Sequence, residues 1–247
     1  MTSNKLKLIA FLVMIFNHLI VTFIPFGNSI FYIGEFIGRI SFPIFAFLLA
    51  EGFNKTSSIK KYVLRILILW LFSIVPFYLL FESESPFDIK NVFNNVFFTL
   101  LMSLFMLILC KKYNNKYQLF IIICFFSSLT IYSDWGVIGP IIVFMMYFSN
   151  KNTSKVRTSL IFSVFLILIY YLYSRIYNPL YLITSLGCLM SYYPIKKYNG
   201  QLGNSSKLIQ YTFYFLYPIH MYILKIIYDF WIIRQDNMRI FLFLLYN

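Results

Sequence analysis

A chain of 247 residues that is 60% hydrophobic and 12% charged, with apolar runs recurring from one end to the other, is excluded from the soluble globular class. Spans of ~20 apolar residues fit helices rather than the ~10-residue alternating strands of a barrel. The expected fold is therefore all-α: a polytopic transmembrane helical bundle forming a single integral-membrane domain over 1–247. The net charge of +13 sits in short loops between apolar runs and forms no stripe or recognition motif, which excludes nucleic acid and leaves lipid as the expected surroundings.

In chain order, the first expected segment covers about Leu8–Ile24. It follows Lys5 and Lys7 like a signal peptide, but no small-x-small cleavage site comes after it, so it reads as a retained first helix. A second segment covers about Ile30–Phe53, and a basic loop (Lys55, Lys60, Lys61) leads to a third at about Tyr62–Phe81. An acidic loop with Glu82, Glu84 and Asp88 precedes a fourth at about Val92–Cys110. The fifth is about Leu119–Tyr132, followed by the tight connection Ser133-Asp134-Trp135-Gly136. The sixth, about Val137–Phe148, is interrupted on paper by Gly139-Pro140. A seventh covers about Leu160–Tyr173, an eighth about Leu180–Tyr193, and a ninth about Ile209–Trp231. The tail beyond Ile232 fits an interfacial piece or a partial tenth helix.

The loops alternate in charge. One set, on the side of the N-terminus, holds Lys5, Lys7, Lys55, Lys60, Lys61, Lys111, Lys112, Lys116, Lys151, Lys155, Arg157, Lys196, Lys197 and Lys207, with no acid beyond Glu51 at a helix end. The other holds Glu82, Glu84, Asp88 and Asp134, with Lys90 and Arg175 as the only bases. The positive-inside rule then expects about nine spans and a cytoplasmic N-terminus. The cysteines Cys110, Cys124 and Cys188 lie in or beside apolar runs without CxxC spacing, so neither a disulfide framework nor a metal site is expected.

Three polar residues fall at membrane depth. At ~1.5 Å of rise per residue, His18, Arg39 and His220 lie ~15, ~21 and ~17 Å from the basic end of their segments. The chain has only two histidines, so both sit close in depth to one central arginine. An ionisable group there costs at least ~2.5 kcal/mol, which makes it a functional-site hypothesis by default. Each histidine also fits a helix–helix hydrogen bond, and Arg39 also fits an ion pair with Glu35 one turn earlier. If the three converge, a neutral histidine supplies a general base and the arginine a fork of donors for a phosphate or an oxyanion. There is no nucleophilic serine motif, no HExxH and no paired intramembrane carboxylate. Acyl or phosphoryl transfer fits that set; metal hydrolysis does not. Lys7 precedes His18 by eleven positions, close to three helical turns, so both fall on one face. With Lys61 and Arg65 at the start of the third segment it forms a basic mouth suited to an anionic carrier; plain positive-inside anchoring explains each lysine equally well.

Leu6-Lys7-Leu8-Ile9-Ala10 through Met14 to His18, the block Ile37 to Phe53, and Lys61-Tyr62-Val63-Leu64-Arg65 with Ser73 to Phe77 carry a resemblance. So do Phe97-Phe98-Thr99-Leu100-Leu101, Ser133-Asp134-Trp135-Gly136 and Tyr217-Pro218-Ile219-His220. Together, in this order, they resemble the TraX family, which includes a plasmid protein that N-acetylates pilin, and which is similar in outline to multi-span membrane O-acyltransferases. The resemblance is weakest between the seventh and eighth segments. It implies a multi-pass protein of the bacterial cytoplasmic membrane that transfers an acetyl group from acetyl-CoA to an exported peptide, a pilin or a cell-surface glycan. The implied catalytic residues are His18, Arg39 and His220, and the implied donor-binding residues are Lys7, Lys61 and Arg65. A non-enzymatic transporter or an assembly or immunity factor is the alternative; a transporter would favour an internal repeat, and none is visible. In the family an aspartate usually precedes the first-segment histidine, whereas this chain has Asn17.

Overall fold

The computed structural model describes residues 1–81, 90–113, 115–149, 152–203 and 207–246. Glu82, Glu84, Asp88 and Lys151 lie outside the described residues. Helices account for every ordered element among the described residues: α1 Ser3–Phe23, α2 Ser29–Gly38, α3 Ser41–Lys55, α4 Ile59–Phe81, α5 Lys90–Phe93, α6 Val96–Lys112 and α7 Lys116–Leu129. They continue with α8 Ile138–Ser149, α9 Thr153–Tyr173, α10 Pro179–Thr184, α11 Gly187–Met190, α12 Tyr192–Lys196 and α13 Lys207–Tyr246. Five stretches among them are long and apolar enough to cross a membrane: Ser3–Phe23, Ser29–Lys55, Ile59–Phe81, Thr153–Tyr173 and Phe215–Arg234.

Several expected boundaries are corrected. The second segment is broken at Arg39 and Ile40, so α2 and α3 are separate helices that meet where the charge sits. The fourth is broken at Asn94-Asn95. Asn95 caps α6 by accepting from the amides of Phe97 and Phe98, a bond that competes with helix continuation. Gly139 and Pro140 do not interrupt the sixth segment; they form the first turn of α8, where a proline lacks no intrahelical bond. The eighth is three short helices instead of one. The tail continues α13 without a break to Tyr246. Helix starts repeatedly use asparagine: Asn28, Asn115, Asn152 and Asn178 also accept from the amides that open their helices.

The centre of the bundle is α3, which packs against α1, α6 and α8. Phe42, Ile44, Ala46, Phe47, Leu49 and Ala50 are all buried, so this helix packs against protein on every side along its apolar middle and has no lipid face there. The outer helices keep exposed apolar residues instead, among them Phe72 on α4, Phe120 on α7, Phe165 on α9 and Phe230 on α13. That inversion of the soluble pattern is what a lipid solvent requires. Helix α13 closes the bundle against α4 and α1, and α10 and α11 lean on α2. The crossing of α11 over α2 is tight: a Cβ on Gly187 would lie 1.9 Å from the Phe36 carbonyl oxygen.

Candidate functional site

Helix α1 carries His18 and α13 carries His220, and their packing brings His18 Nδ1 within 3.0 Å of His220 Nε2. The rings stack with centroids 5.2 Å apart and planes inclined by 20°. His220 Nδ1 lies 3.1 Å from the Leu216 carbonyl oxygen. A carbonyl only accepts, so this nitrogen carries the proton in the neutral ring and His220 Nε2 holds a lone pair. His18 Nδ1 must then donate to it, which leaves His18 Nε2 as an unprotonated base. One backbone carbonyl therefore sets the tautomers of both rings. Phe81 meets His18 edge-on at 5.0 Å, and Phe11 and Tyr217 meet His220 at 5.5 and 5.4 Å, fixing the pair from three helices.

His18 lines a cavity of about 250 Å³ with Asn17, Glu35, Arg39, Asp134 and Trp135 among its walls. Arg39 sits at the break between α2 and α3. Its Nη2 donates to Glu35 Oε2 at 3.1 Å and to the Tyr171 hydroxyl at 2.7 Å. The guanidinium carbon lies 5.2 Å from the Trp135 ring centroid and 5.7 Å from that of Tyr171. The ion pair with Glu35 weighed from sequence is therefore present. Arg39 Nε is buried with no hydrogen-bond partner, so part of the fork remains unused. Asn17 Nδ2 donates to the Gly34 carbonyl at 3.2 Å and to Glu35 Oε1 at 3.1 Å, so it faces α2 and not His18. Asparagine supplies a donor to the second oxygen of a carboxylate that Arg39 already holds.

Trp135 and Asp134 arrive on the connection between α7 and α8, which is folded inward by a polar knot. Ser133 Oγ lies 2.6 Å from Thr99 Oγ1 and donates to the Thr130 carbonyl, while Thr130 donates to the Gly136 carbonyl. Trp135 then stacks on Phe42 at 4.3 Å and 12°. Asp134 is surrounded by protein on the sides away from the cavity, and the desolvation this causes pushes its carboxyl up to about 6 with Arg39 opposing the rise. Its surface is nevertheless open to the cavity, so solvation favours the charged form more than burial alone indicates.

A second cavity of about 540 Å³ lies at the basic end, walled by Lys7, Lys55, Arg65, Glu51 and Tyr198 at its polar side. Phe11, Phe45, Leu48, Leu49, Ile66 and Leu69 supply its apolar part. Phe45 and Tyr217 belong to the walls of both cavities, so the basic end and the histidine pair are adjacent spaces. Of the residues expected from sequence, His18, Arg39 and His220 are brought together, and Lys7 and Arg65 share the second cavity. Lys61 is exposed and lines neither; its carbonyl accepts from Arg65 Nε at 3.2 Å. Lys55 takes its place. Tyr171, 132 positions from Arg39 in sequence, carried no signal on paper, whereas Asp134 and Trp135 stood in a conspicuous motif without an assigned role.

The molecule is thus a membrane-spanning helical bundle in which His18, backed by His220, and a part-buried arginine share one cavity, with a basic cluster on its neighbour. The chain belongs to the TraX family, whose model matches residues 2–228. It is also similar to a probable fimbrial assembly protein FimC, serogroup H1, of Dichelobacter nodosus, at 26% identity over 233 residues, 90% of this chain and 94% of that protein. No solved structure matches the chain.

Proposed function

We propose that the protein is an acetyltransferase of the bacterial cytoplasmic membrane that moves an acetyl group from acetyl-CoA to the amine or hydroxyl of an exported acceptor. The pilin-related membrane role of its family points to a pilin or peptide N-terminus, with a surface glycan as the other acceptor class. In this reading the chain crosses the membrane about nine times with a cytoplasmic N-terminus. The basic cavity receives the donor's phosphates at Lys7 and Arg65, and the thioester arm extends past Phe45 and Tyr217. The acceptor enters the smaller cavity and attacks the acetyl carbonyl. His18 Nε2 takes the proton lost by the acceptor, and His220, anchored on Leu216, holds the imidazolium that results. The unused guanidinium donors of Arg39 stabilise the tetrahedral oxyanion, and its collapse expels the thiolate of coenzyme A, which recovers the proton from His18.

The observation that carries this reading is the adjacency of the two cavities, one with a base whose tautomer is set and the other cationic. The D. nodosus protein's description favours a second reading, an assembly factor without transfer chemistry. Mass spectrometry of exported peptides from cells carrying the wild type or His18→Ala separates the two. An acetyl group present with the wild type and absent with the variant supports transfer. An acetyl group that persists in the variant removes His18 from the base role, and the absence of any acetylated species in both leaves the assembly reading.

A further inference from the structure

Lys55, on the wall of the larger cavity, is already occupied by an internal anion. Its ammonium lies 2.7 Å from Glu51 Oε1, donates to the Gly200 carbonyl and sits 5.7 Å from the centroid of the Tyr198 ring. Tyr198 donates to the same Glu51 oxygen at 3.1 Å. The two partners differ in freedom: the Glu51 side chain is 6% exposed and the Lys55 side chain 46%. The carboxylate is fixed inside the bundle, and the ammonium ends a flexible stem that reaches the cavity.

We propose that Lys55 is an exchangeable cation: Glu51 holds it while the cavity is empty, and a phosphate group of the bound ligand takes it over. This rests on the larger cavity being a ligand site for a phosphate-bearing molecule with an apolar arm. An ammonium is a compact point charge with three rotatable donors, so it follows the stronger anion, and a phosphate carries more charge and more acceptors than a carboxylate. Glu51 can release it because Tyr198 continues to donate to the carboxylate, so the buried charge keeps a hydrogen bond. Lys7 and Arg65 line the same cavity and complete a three-cation set for the ligand. The Glu51 competition subtracts from ligand affinity and so favours release after turnover. Two sources share the required chemistry, a nucleotide thioester such as acetyl-CoA and an anionic phospholipid whose acyl chain enters from the bilayer.

The test is binding to the full-length protein in phosphatidylcholine nanodiscs, with acetyl-CoA in one arm and a short-chain phosphatidylglycerol in the other. Lys55→Met, Glu51→Gln, their combination, and Lys60→Met as a matched loss of charge off the cavity are compared. Lys55→Met weakens binding about tenfold, the size of one charge-assisted hydrogen bond, and Glu51→Gln tightens it about threefold or more by freeing the lysine. The double variant follows Lys55→Met, and Lys60→Met binds as the wild type does. Unchanged binding by Lys55→Met, or weakening by Glu51→Gln, overturns the exchange. Should Glu51→Gln fail to fold, the contrast between Lys55→Met and Lys60→Met decides alone. Acetyl-CoA that binds wild type and Lys55→Met equally leaves the donor reading intact and removes this one. The expected pattern seen with the phospholipid alone keeps the exchange and removes acetyl-CoA as the donor. No saturable binding of either ligand removes both.

Discussion

Replacing His220 tests whether the histidine pair acts as a unit. In His220→Ala, His18 Nδ1 loses the acceptor 3.0 Å away and the ring stacked on it at 5.2 Å. A donor left unpaired in the bundle costs ~1–3 kcal/mol, so the imidazole turns or changes tautomer to find another partner. Either response removes the lone pair from Nε2, or aims it elsewhere, and general-base catalysis contributes ~10²–10⁴-fold. Acetyl transfer in nanodiscs is therefore expected to fall by at least ~10²-fold with little change in the Michaelis constant for acetyl-CoA, because Lys7 and Arg65, the cations assigned to the donor, do not touch His220. His220→Gln provides the discriminating control: its side-chain oxygen accepts from His18 Nδ1, which keeps the tautomer and holds the loss to ~10-fold. Activity of His220→Ala within twofold of wild type while His18→Ala is inactive would refute the tautomer argument. Equal losses in the Ala and Gln variants would show that the ring, and not its acceptor nitrogen, is what matters.

Gly187→Ala is expected to lower the thermal unfolding midpoint markedly, because the new Cβ falls 1.9 Å from the Phe36 carbonyl oxygen and 3.1 Å from Arg39 Cβ, and backbone cannot yield as a side chain does. Overpacking of this kind costs ~1–3 kcal/mol or more, and a wild-type midpoint in Gly187→Ala would show that α11 and α2 are not packed this closely. Asp134→Asn tests the carboxyl that burial raises to about 6. A folded-state value above the unfolded one gives stability that is complete below the unfolded value near 3.8 and is lost as pH rises through about 6. The neutral variant should therefore gain on the wild type between pH 5 and pH 8 in thermal unfolding measured at both; a constant difference would place the charge in free solvent.

The unequal fate of the sequence-derived segments has a common cause. Run length and hydropathy marked the long helical stretches, because a bilayer leaves a backbone little choice but helix. They missed the break at Arg39–Ile40 because it lies inside an apolar run, and the one at Asn94–Asn95 because Val92 and Phe93 extend the apolar run back across two asparagines, of which Asn95 caps a new helix. Gly139-Pro140 erred the other way. A helix-breaking pair is harmless in a first turn, and the position of that turn was fixed by the polar knot of Thr99, Thr130 and Ser133.

The sequence by itself determined that this is a helical membrane protein, and scarcity singled out its polar candidates, since two histidines and one central arginine are conspicuous among apolar runs. A fixed rise per residue placed His18 and His220 in the middle of their segments, whereas Arg39 falls at the break between α2 and α3. Rotation about each helix axis and the choice of neighbours were not readable from position. Only the tertiary structure decided that His18 meets His220 202 positions away, that Tyr171 holds Arg39, that Asn17 turns to Glu35, and that Lys55 rather than Lys61 lines the basic cavity. The physical reason is that lipid is as apolar as the side chains it replaces, so hydrophobicity places a segment in the bilayer without saying what it packs against. Steric fit and interhelical hydrogen bonds make that choice.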